Sequence, residues 1–136
     1  GVQLELGSVA TDFEHRSYGE ILADCQRFYQ KITGPVSGNL SGGGYITLAG
    51  WNGSSLYGGL KLTTTMRTGP TFSYSALTDF QIYAAGASPT PTSININSPN
   101  GDRMELTVDA TNSSAGRAGW LRFNKTAAWM AFDAEL

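Results

Sequence analysis

The apolar positions of residues 17–32 repeat at helical spacing and predict an amphipathic helix. Ser17 is a favourable N-cap, and Glu20 three residues later completes a capping box, in which each side chain accepts a hydrogen bond from a backbone N–H. Gly34 and Pro35 follow the helix and would end it. Its apolar face comprises Ile21, Leu22, Cys25, Phe28 and Tyr29. We therefore expect this face to pack on the rest of the domain or at a subunit interface.

From residue 34 onward the pattern changes to short alternating runs separated by Gly, Ser, Thr, Asn and Pro, which is typical of antiparallel strands. Asn100-Gly101 predicts a tight hairpin, because these residues tolerate positive φ angles. Leu60, Leu62, Thr64 and Met66 alternate with polar residues, which predicts one apolar strand face. The predicted strands are 44–50, 56–67, 70–75, 79–84, 92–97, 103–109, 118–123 and 127–135. The sequence thus predicts an all-β fold, an antiparallel jelly-roll-like sandwich of about eight strands with one short N-terminal α-helix.

The length of 136 residues suits a single domain, which we place at residues 17–136. Residues 1–16 are interpreted as a linker or as the end of an upstream strand. Gly1 to Leu6 alternate like a strand with no turn or cap before them. We therefore expect the chain to be a fragment of a longer protein or the ordered part of one.

Composition excludes several classes of partner. Only 15% of the residues are charged and the net charge is −2, so the chain lacks the basic excess that favours nucleic acid. No segment has the length and hydropathy of a membrane span, so we expect no membrane insertion. The single cysteine, Cys25, cannot form an intrachain disulfide. We interpret it as a small core residue, with a reactive thiol as the less favoured alternative.

The chain offers no recognisable catalytic or metal-binding constellation. Residues 41–44 (SGGG) lack the Lys-Ser/Thr ending of a phosphate-binding loop and are interpreted as a turn. The lone histidine, His15, has no second His or Cys to share a metal, so a hydrogen-bonding role at the surface or between subunits is favoured. The acidic residues are scattered, as expected of solvated strand edges. We therefore expect no enzymatic activity, no cofactor and no metal.

One loop has the composition of a ligand-binding surface. Aromatic rings stack on the C–H faces of sugars, while small polar side chains bond to sugar hydroxyls. Trp51, Asn52, Ser54 and Tyr57 supply both kinds of group and form the predicted glycan or receptor site. The alternative is packing, in the core, at an edge or between identical subunits, where aromatic residues are also enriched. We expect Trp120 and Trp129 to pack in the core or at an edge in the same way.

Three segments resemble the C-terminal helix-plus-β-sandwich module of phage and prophage tail-fibre or minor virion structural proteins. They are residues 13–31 (FEHRSYGEILADCQRFYQK), 63–74 (TTTMRTGPTFSY) and 129–136 (WMAFDAEL). In that family the helix carries a CQRYY-like core and the chain ends in a DAEL-like strand. Here Phe28 replaces one tyrosine of the core, which keeps the ring and loses a hydroxyl. The resemblance implies a virion location and a trimeric appendage in contact with other virion proteins.

The resemblance and the residues together leave three functions open. The first is the distal domain of a trimeric fibre that contacts a host surface receptor, with a glycan or a protein as that receptor. The second is a capsid-decorating or trimerisation module with no receptor of its own. The third is a free-standing carbohydrate-binding module, which would be a monomer with glycan affinity.

Overall fold

The computed structural model describes residues 4, 6, 7, 9, 11, 12, 15–34, 45–50, 52–83, 89–111 and 118–135. Within these residues it contains one α-helix, α1 (Tyr18–Gln26), and a 3-10 turn at Leu77–Asp79. The strands are β1 (Tyr29–Thr33), β2 (Tyr45–Gly50), β3 (Ser55–Lys61), β4 (Thr71–Tyr74), β5 (Phe80–Tyr83), β6 (Ser93–Asn100), β7 (Arg103–Asp109), β8 (Ala118–Phe123) and β9 (Trp129–Asp133). The described helix is too short to cross a membrane.

The strands form two sheets in which every pair is antiparallel. One sheet has three strands in the order β1-β9-β4, and the other has six in the order β5-β8-β2-β3-β7-β6. Because successive side chains of a strand point to opposite faces, each strand of the larger sheet buries alternate residues. β7 shows this clearly, with Met104, Leu106 and Val108 buried and the residues between them more exposed.

A single cluster of buried side chains lies between the two sheets. Aromatic rings connect the sheets, since Tyr74 of β4 contacts Phe80 of β5 edge-on at 6.1 Å between ring centroids. Phe80 in turn contacts Phe123 of β8 at 5.3 Å, and Phe72 of β4 contacts Phe132 of β9 at 5.4 Å. Burial of such rings is a principal favourable term in folding. The prediction of an all-β sandwich with one short helix is confirmed.

A strand is present at each of the eight predicted positions, although the second is shorter than expected. β3 ends at Lys61, and the predicted extension to residue 67 was wrong. After Lys61 the backbone bonds to the turn between β6 and β7, where Leu62 N donates to Asp102 O and Met66 N to Gly101 O, each at 2.8 Å. Burial still alternates from Leu60 to Met66, because Leu62 and Met66 enter the core from an irregular segment.

The turn between β6 and β7 lies at the predicted hairpin. Asn100 pairs with Arg103 at the ends of the two strands, and Gly101 and Asp102 form the connection. Gly101 has a φ of +55°, the left-handed conformation that favours glycine. The register shifts between Asn97 and Asn100, which accommodates Pro99 within the strand. The predicted loop at residues 41–44 lies outside the described residues.

The helix begins as predicted but ends earlier. Glu20 N donates to Ser17 Oγ at 3.3 Å and Ser17 N donates to Glu20 Oε2 at 2.8 Å, so the capping box is present. The helix stops at Gln26, and the expected continuation to residue 32 was wrong. Residues 29–33 instead form β1, which pairs with β9 along its whole length. Pairing with a strand about one hundred residues away outweighs the local helical periodicity.

The expected burial of the helix face was also wrong for the single chain. No residue of α1 is buried, and Ile21 and Leu22 are 47% and 41% exposed. Cys25 is exposed, so it is not a core residue. Phe28 and Tyr29 lie beyond the helix and are exposed as well. A short capped helix therefore carries an apolar surface that the sandwich does not cover.

Candidate functional site

The outer face of the six-stranded sheet, which points away from the core, carries a stacked aromatic pair. Tyr83 of β5 lies directly opposite Trp120 of β8. Their ring centroids are 5.6 Å apart and the ring planes differ by 15°. Tyr83 is 44% exposed and Trp120 is 46% exposed. The two rings therefore cover part of each other and keep nearly half of their surface in contact with solvent, and we refer to them as the aromatic pair.

A row of polar side chains lies on the same face at β6 and β7. Asn97 Nδ2 donates to Thr107 Oγ1 at 2.6 Å and to Glu105 Oε1 at 3.1 Å. Asn95 lies opposite Thr107 in the register of the two strands and is exposed. These amides, hydroxyls and carboxylates are fixed by a regular antiparallel ladder, so their positions are defined before any ligand binds.

Asp109 closes one end of this polar row. Its carboxylate accepts from Ser93 Oγ at 2.6 Å and from Ser55 Oγ at 2.7 Å, which ties β6, β7 and β3 together. The hydrogen bond from Ser93, followed by that from Ser55, lowers the pKa of Asp109 below its usual value. The pKa falls because these hydrogen bonds stabilise the charged carboxylate relative to the neutral acid. The residue therefore stays ionised and anchors the strands.

A shallow groove of about 500 Å³ crosses β3 and β7 on this side of the sheet. Tyr57, Asn100, Arg103 and Glu105 contribute to its lining. Gly59 leaves the floor open, because a Cβ at this position would have no other heavy atom within 4 Å. The groove and the aromatic pair are separated by β2, so their strands β3 and β8 are two inter-strand spacings, about 10 Å, apart.

We call the aromatic pair, the groove and the polar row together the outer-face site. Exposed aromatic surface and hydrogen-bonding side chains are the two kinds of group that bind sugar rings, which have both C–H faces and hydroxyl edges. Among the described residues no group of three or more His, Cys, Asp or Glu side chains could hold a metal ion. What the arrangement offers is a surface for contact.

The loop residues predicted to bind a ligand only partly belong to this site. Trp51 lies outside the described residues. Asn52 Oδ1 accepts from Ser54 N at 2.9 Å and from Ser55 N at 2.8 Å, so this side chain shapes the turn before β3. Ser54 is exposed in the same turn. Tyr57 lies within β3 and not in the loop, and it is the one of the four that lines the groove.

The aromatic pair was not predicted from the sequence. Of the two placements expected for Trp120, the core is wrong, and the residue instead packs against Tyr83 of the edge strand β5. A signal was nevertheless present in β8. Gly119, Leu121 and Phe123 alternate with Trp120 and Arg122, and the first three are buried. The period of two therefore places Trp120 on the same face as an arginine, which is the solvent face. Trp129 is half-buried, with Lys31 Nζ 4.8 Å from its ring centroid.

A second surface surrounds the helix and contains most of the predicted assembly residues. Leu22 and Tyr29 line a cleft of about 390 Å³ between α1, β1 and residues 61–63. Ile21, Cys25 and Phe28 are exposed nearby in the chain. We call Ile21, Leu22, Cys25, Phe28 and Tyr29 the helix surface.

The fold defines the class of this chain as an antiparallel β-sandwich, and the outer face of its larger sheet carries an exposed aromatic pair. Comparison with protein-family models, with curated proteins and with solved structures found no match.

Proposed function

We propose that this chain is a non-enzymatic phage virion protein, the distal C-terminal domain of a trimeric fibre, and that its outer-face site contacts a glycan on the host surface. The virion location and the trimer are supported by the resemblance of residues 13–31, 63–74 and 129–136 to tail-fibre modules. The glycan contact is supported by the chemistry of the outer face. The location follows from that role, since a receptor-binding fibre lies on the surface of the extracellular particle.

The observation that carries the proposal is the stacked, half-exposed pair of Tyr83 and Trp120. Large aromatic side chains gain free energy by leaving water, about 25 cal/mol for each Å² of apolar surface buried. The part of the aromatic pair that stays in contact with solvent does not gain this free energy until a ligand covers it. Exposed aromatic surface bordered by polar groups is accordingly a mark of an interaction site.

The polar row supports a sugar in preference to an apolar ligand. Asn97 and Glu105 are exposed, Thr107 is half-buried, and Asn97 is hydrogen-bonded to the other two. A sugar hydroxyl can both donate and accept, so it can join such a network without leaving a group unpaired. Because the strands hold these side chains in place, little conformational entropy is lost on binding.

The proposal is tested with Trp120→Ala and Tyr83→Ala, measured on a glycan array and by adsorption of the protein to host cells. We expect each substitution to weaken binding at least tenfold, which corresponds to about 1.4 kcal/mol. Tyr18→Ala is the matched control, since Tyr18 is 79% exposed on the helix and is not part of the outer face. Unchanged binding by both outer-face variants would contradict the proposal.

The helix surface favours a second candidate function, a capsid-decorating or trimerisation module without a receptor. Ile21 and Leu22 lie on consecutive positions of a capped helix and both remain exposed in the single chain. Light scattering at neutral pH tests this candidate. A trimer that binds neither glycan nor cells would favour the assembly module, and a monomer with glycan affinity would favour a free-standing carbohydrate-binding module.

A further inference from the structure

We infer that the outer-face site takes an anionic sugar and that Arg122 binds its charged group. This inference rests on the proposed glycan-binding function and adds the chemical class of the ligand. Arg122 lies on β8 two residues after Trp120, so both side chains project from the same face of the sheet. Two residues along a strand span about 7 Å. The guanidinium and the aromatic pair are thus close enough to contact one monosaccharide.

The charge of Arg122 has no carboxylate partner among the described residues. Its Nη2 donates to Gln81 Oε1 and, at 3.2 Å, to Asn124 Oδ1, and both acceptors are neutral. Lys125, by contrast, is paired, with its Nζ 2.9 Å from Asp79 Oδ1. Arginine has five N–H donors, so these two contacts leave part of the guanidinium available.

The remaining donors include one that is buried without a partner. Arg122 Nε has no hydrogen-bond acceptor within the part of the chain that is described. An unsatisfied buried donor destabilises the structure that contains it. A ligand carboxylate could accept hydrogen bonds from Nε and from one terminal nitrogen of Arg122. This is the bidentate geometry that arginine favours, and it would give the Nε–H an acceptor. Reorientation of the side chain toward such a ligand would therefore remove an existing cost.

Asp79, two residues before Gln81, is ion-paired with Lys125, and the acidic residues of β7 lie too far away to neutralise Arg122. Glu105 and Asp109 are on β7, three inter-strand spacings or about 14 Å from β8. This distance exceeds the Debye length of about 8 Å at physiological ionic strength. Glu105 and Asp109 are, in addition, already hydrogen-bonded to Asn97 and to two serines. The end of the site near Arg122 is therefore locally positive, although the chain has a net charge of −2.

These features fit a pyranose ring that packs against the exposed surface of the aromatic pair and carries a carboxylate, a sulfate or a phosphate toward Arg122. The three groups share a negative charge and oxygen acceptors. A carboxylate matches the planar guanidinium best, because it can accept two parallel hydrogen bonds. Sugars of this kind include uronic acids and other acidic monosaccharides.

The first test uses the full chain and pairs of saccharides that differ in charge alone. Oligogalacturonate is compared with its methyl ester, and dextran sulfate with dextran, by calorimetric titration. We expect the charged member of at least one pair to bind at least tenfold more tightly, with an advantage that falls as NaCl is added. The two pairs distinguish a carboxylate from a sulfate as the preferred group.

The outcomes separate the inference from the proposed function. Equal affinity for the charged and neutral members of both pairs would overturn the inference and leave glycan binding intact. Absence of binding to these saccharides and to every glycan on the array would overturn both. Because this test needs no substitution, it stays decisive even if variants of Arg122 fail to fold.

The second test assigns the preference to Arg122. Arg122→Gln should abolish the preference for the charged saccharide and retain affinity for the neutral one, while Arg122→Lys should keep part of the preference. Arg67→Gln removes the same charge beside Phe28, near the helix, and serves as the control that leaves the preference unchanged. A preference that survives Arg122→Gln would overturn the assignment.

Discussion

At the scale of single residues, two adjacent glycines show how differently the same residue type can act. A Cβ on Gly58 would collide with the carbonyl oxygen of Thr47 and lie 2.7 Å from Leu48 Cδ2, so this glycine permits close approach of β2 to β3. A Cβ on Gly59 would meet open space in the groove. The period of two along β3 separates the two environments, because one residue faces the core and the next faces solvent.

We predict that Gly58→Ala lowers the free energy of unfolding by about 1–3 kcal/mol, since extra volume in a packed interior forces neighbours to shift. Gly59→Ala is the matched control and should change stability by less than about 0.5 kcal/mol. Urea denaturation measures both. Gly59→Leu should fold and fill the groove, which would weaken glycan binding if the outer-face site is used. Equal loss of stability in the two alanine variants would contradict this assignment of faces.

Asp79 makes stability depend on pH. The carboxylate of Asp79 is nearly buried. It accepts hydrogen bonds from Lys125 Nζ at 2.9 Å and from Ala76 N at 3.2 Å. The hydrogen bond from Lys125 is the largest cause that lowers the pKa of Asp79 below its ordinary value of 3.8, followed by bonds from Ser75 and Ala76. A carboxyl with a lowered pKa in the folded state stabilises the fold above its ordinary pKa, and this contribution is lost as pH falls through and below that value.

We therefore predict that Asp79→Asn destabilises the protein at pH 7 and reduces the difference in stability between pH 7 and pH 2.5. Thermal unfolding across this range is the measurement. Asp12→Asn is the control, because it removes the same charge from an exposed position ahead of the helix. Its stability should depend on pH in the same way as that of the parent protein. A pH profile of Asp79→Asn that parallels that of the parent would argue against this role.

At the scale of elements, the change from helix to strand after Gln26 depends on one buried polar side chain. Gln30 Nε2 donates to Gln26 O at 3.1 Å and to Thr64 O at 2.6 Å. Gln30 Oε1 accepts from Thr63 N at 3.2 Å and from Thr63 Oγ1 at 2.8 Å. The side chain thus satisfies backbone groups at the end of α1 and in the irregular segment after β3, which joins the helix to the sandwich.

We predict that Gln30→Ala lowers the free energy of unfolding by about 1–3 kcal/mol, because it leaves buried backbone groups without partners. Thr33→Ala, an exposed position at the end of the same strand, is the control and should have little effect. Chemical denaturation gives the free energies, and hydrogen exchange of the α1 amides reports local release of the helix. A Gln30→Ala variant as stable as the parent would show that the network contributes nothing.

Eight of the strands were visible in the alternation of apolar and polar residues, whereas β1 was not. Residues 28–33 fit a helical pattern because Phe28 and Tyr29 continue the spacing of Ile21, Leu22 and Cys25. Their strand pairing is with β9, which lies far along the chain. Local periodicity carries no information about such a partner. For the candidate site, the sequence pointed to Tyr57 as a residue of a predicted loop, whereas it lies in β3, and Tyr83 and Trp120 were not among the predicted site residues.

At the scale of the whole molecule, the two exposed surfaces belong to different parts of the sandwich. The helix surface leads into β1 of the three-stranded sheet, while the outer-face site lies on the six-stranded sheet. Separate surfaces allow a domain to assemble and bind a ligand at the same time. Residues far apart with no shared partners usually act independently.

We accordingly predict that substitutions at the two surfaces have separable effects. Leu22→Glu should reduce self-association, measured by light scattering over a range of concentrations, and should leave glycan affinity per chain unchanged. Trp120→Ala should reduce glycan affinity and leave the solution mass unchanged. Loss of both properties in either variant would show that the surfaces are coupled, for example because the glycan site forms only in the oligomer.

The sequence by itself determined the elements whose signals are local. A capping box at Ser17 and Glu20 defines where the helix begins, and a period of two defines which residues of each strand face the core, because both depend on neighbours within a few residues. Tertiary structure alone decided where the helix ends, that the helix surface stays uncovered, and that Tyr83 meets Trp120 across neighbouring strands. These features depend on contacts between distant segments, whose free energy exceeds local preferences and which no short stretch of sequence contains.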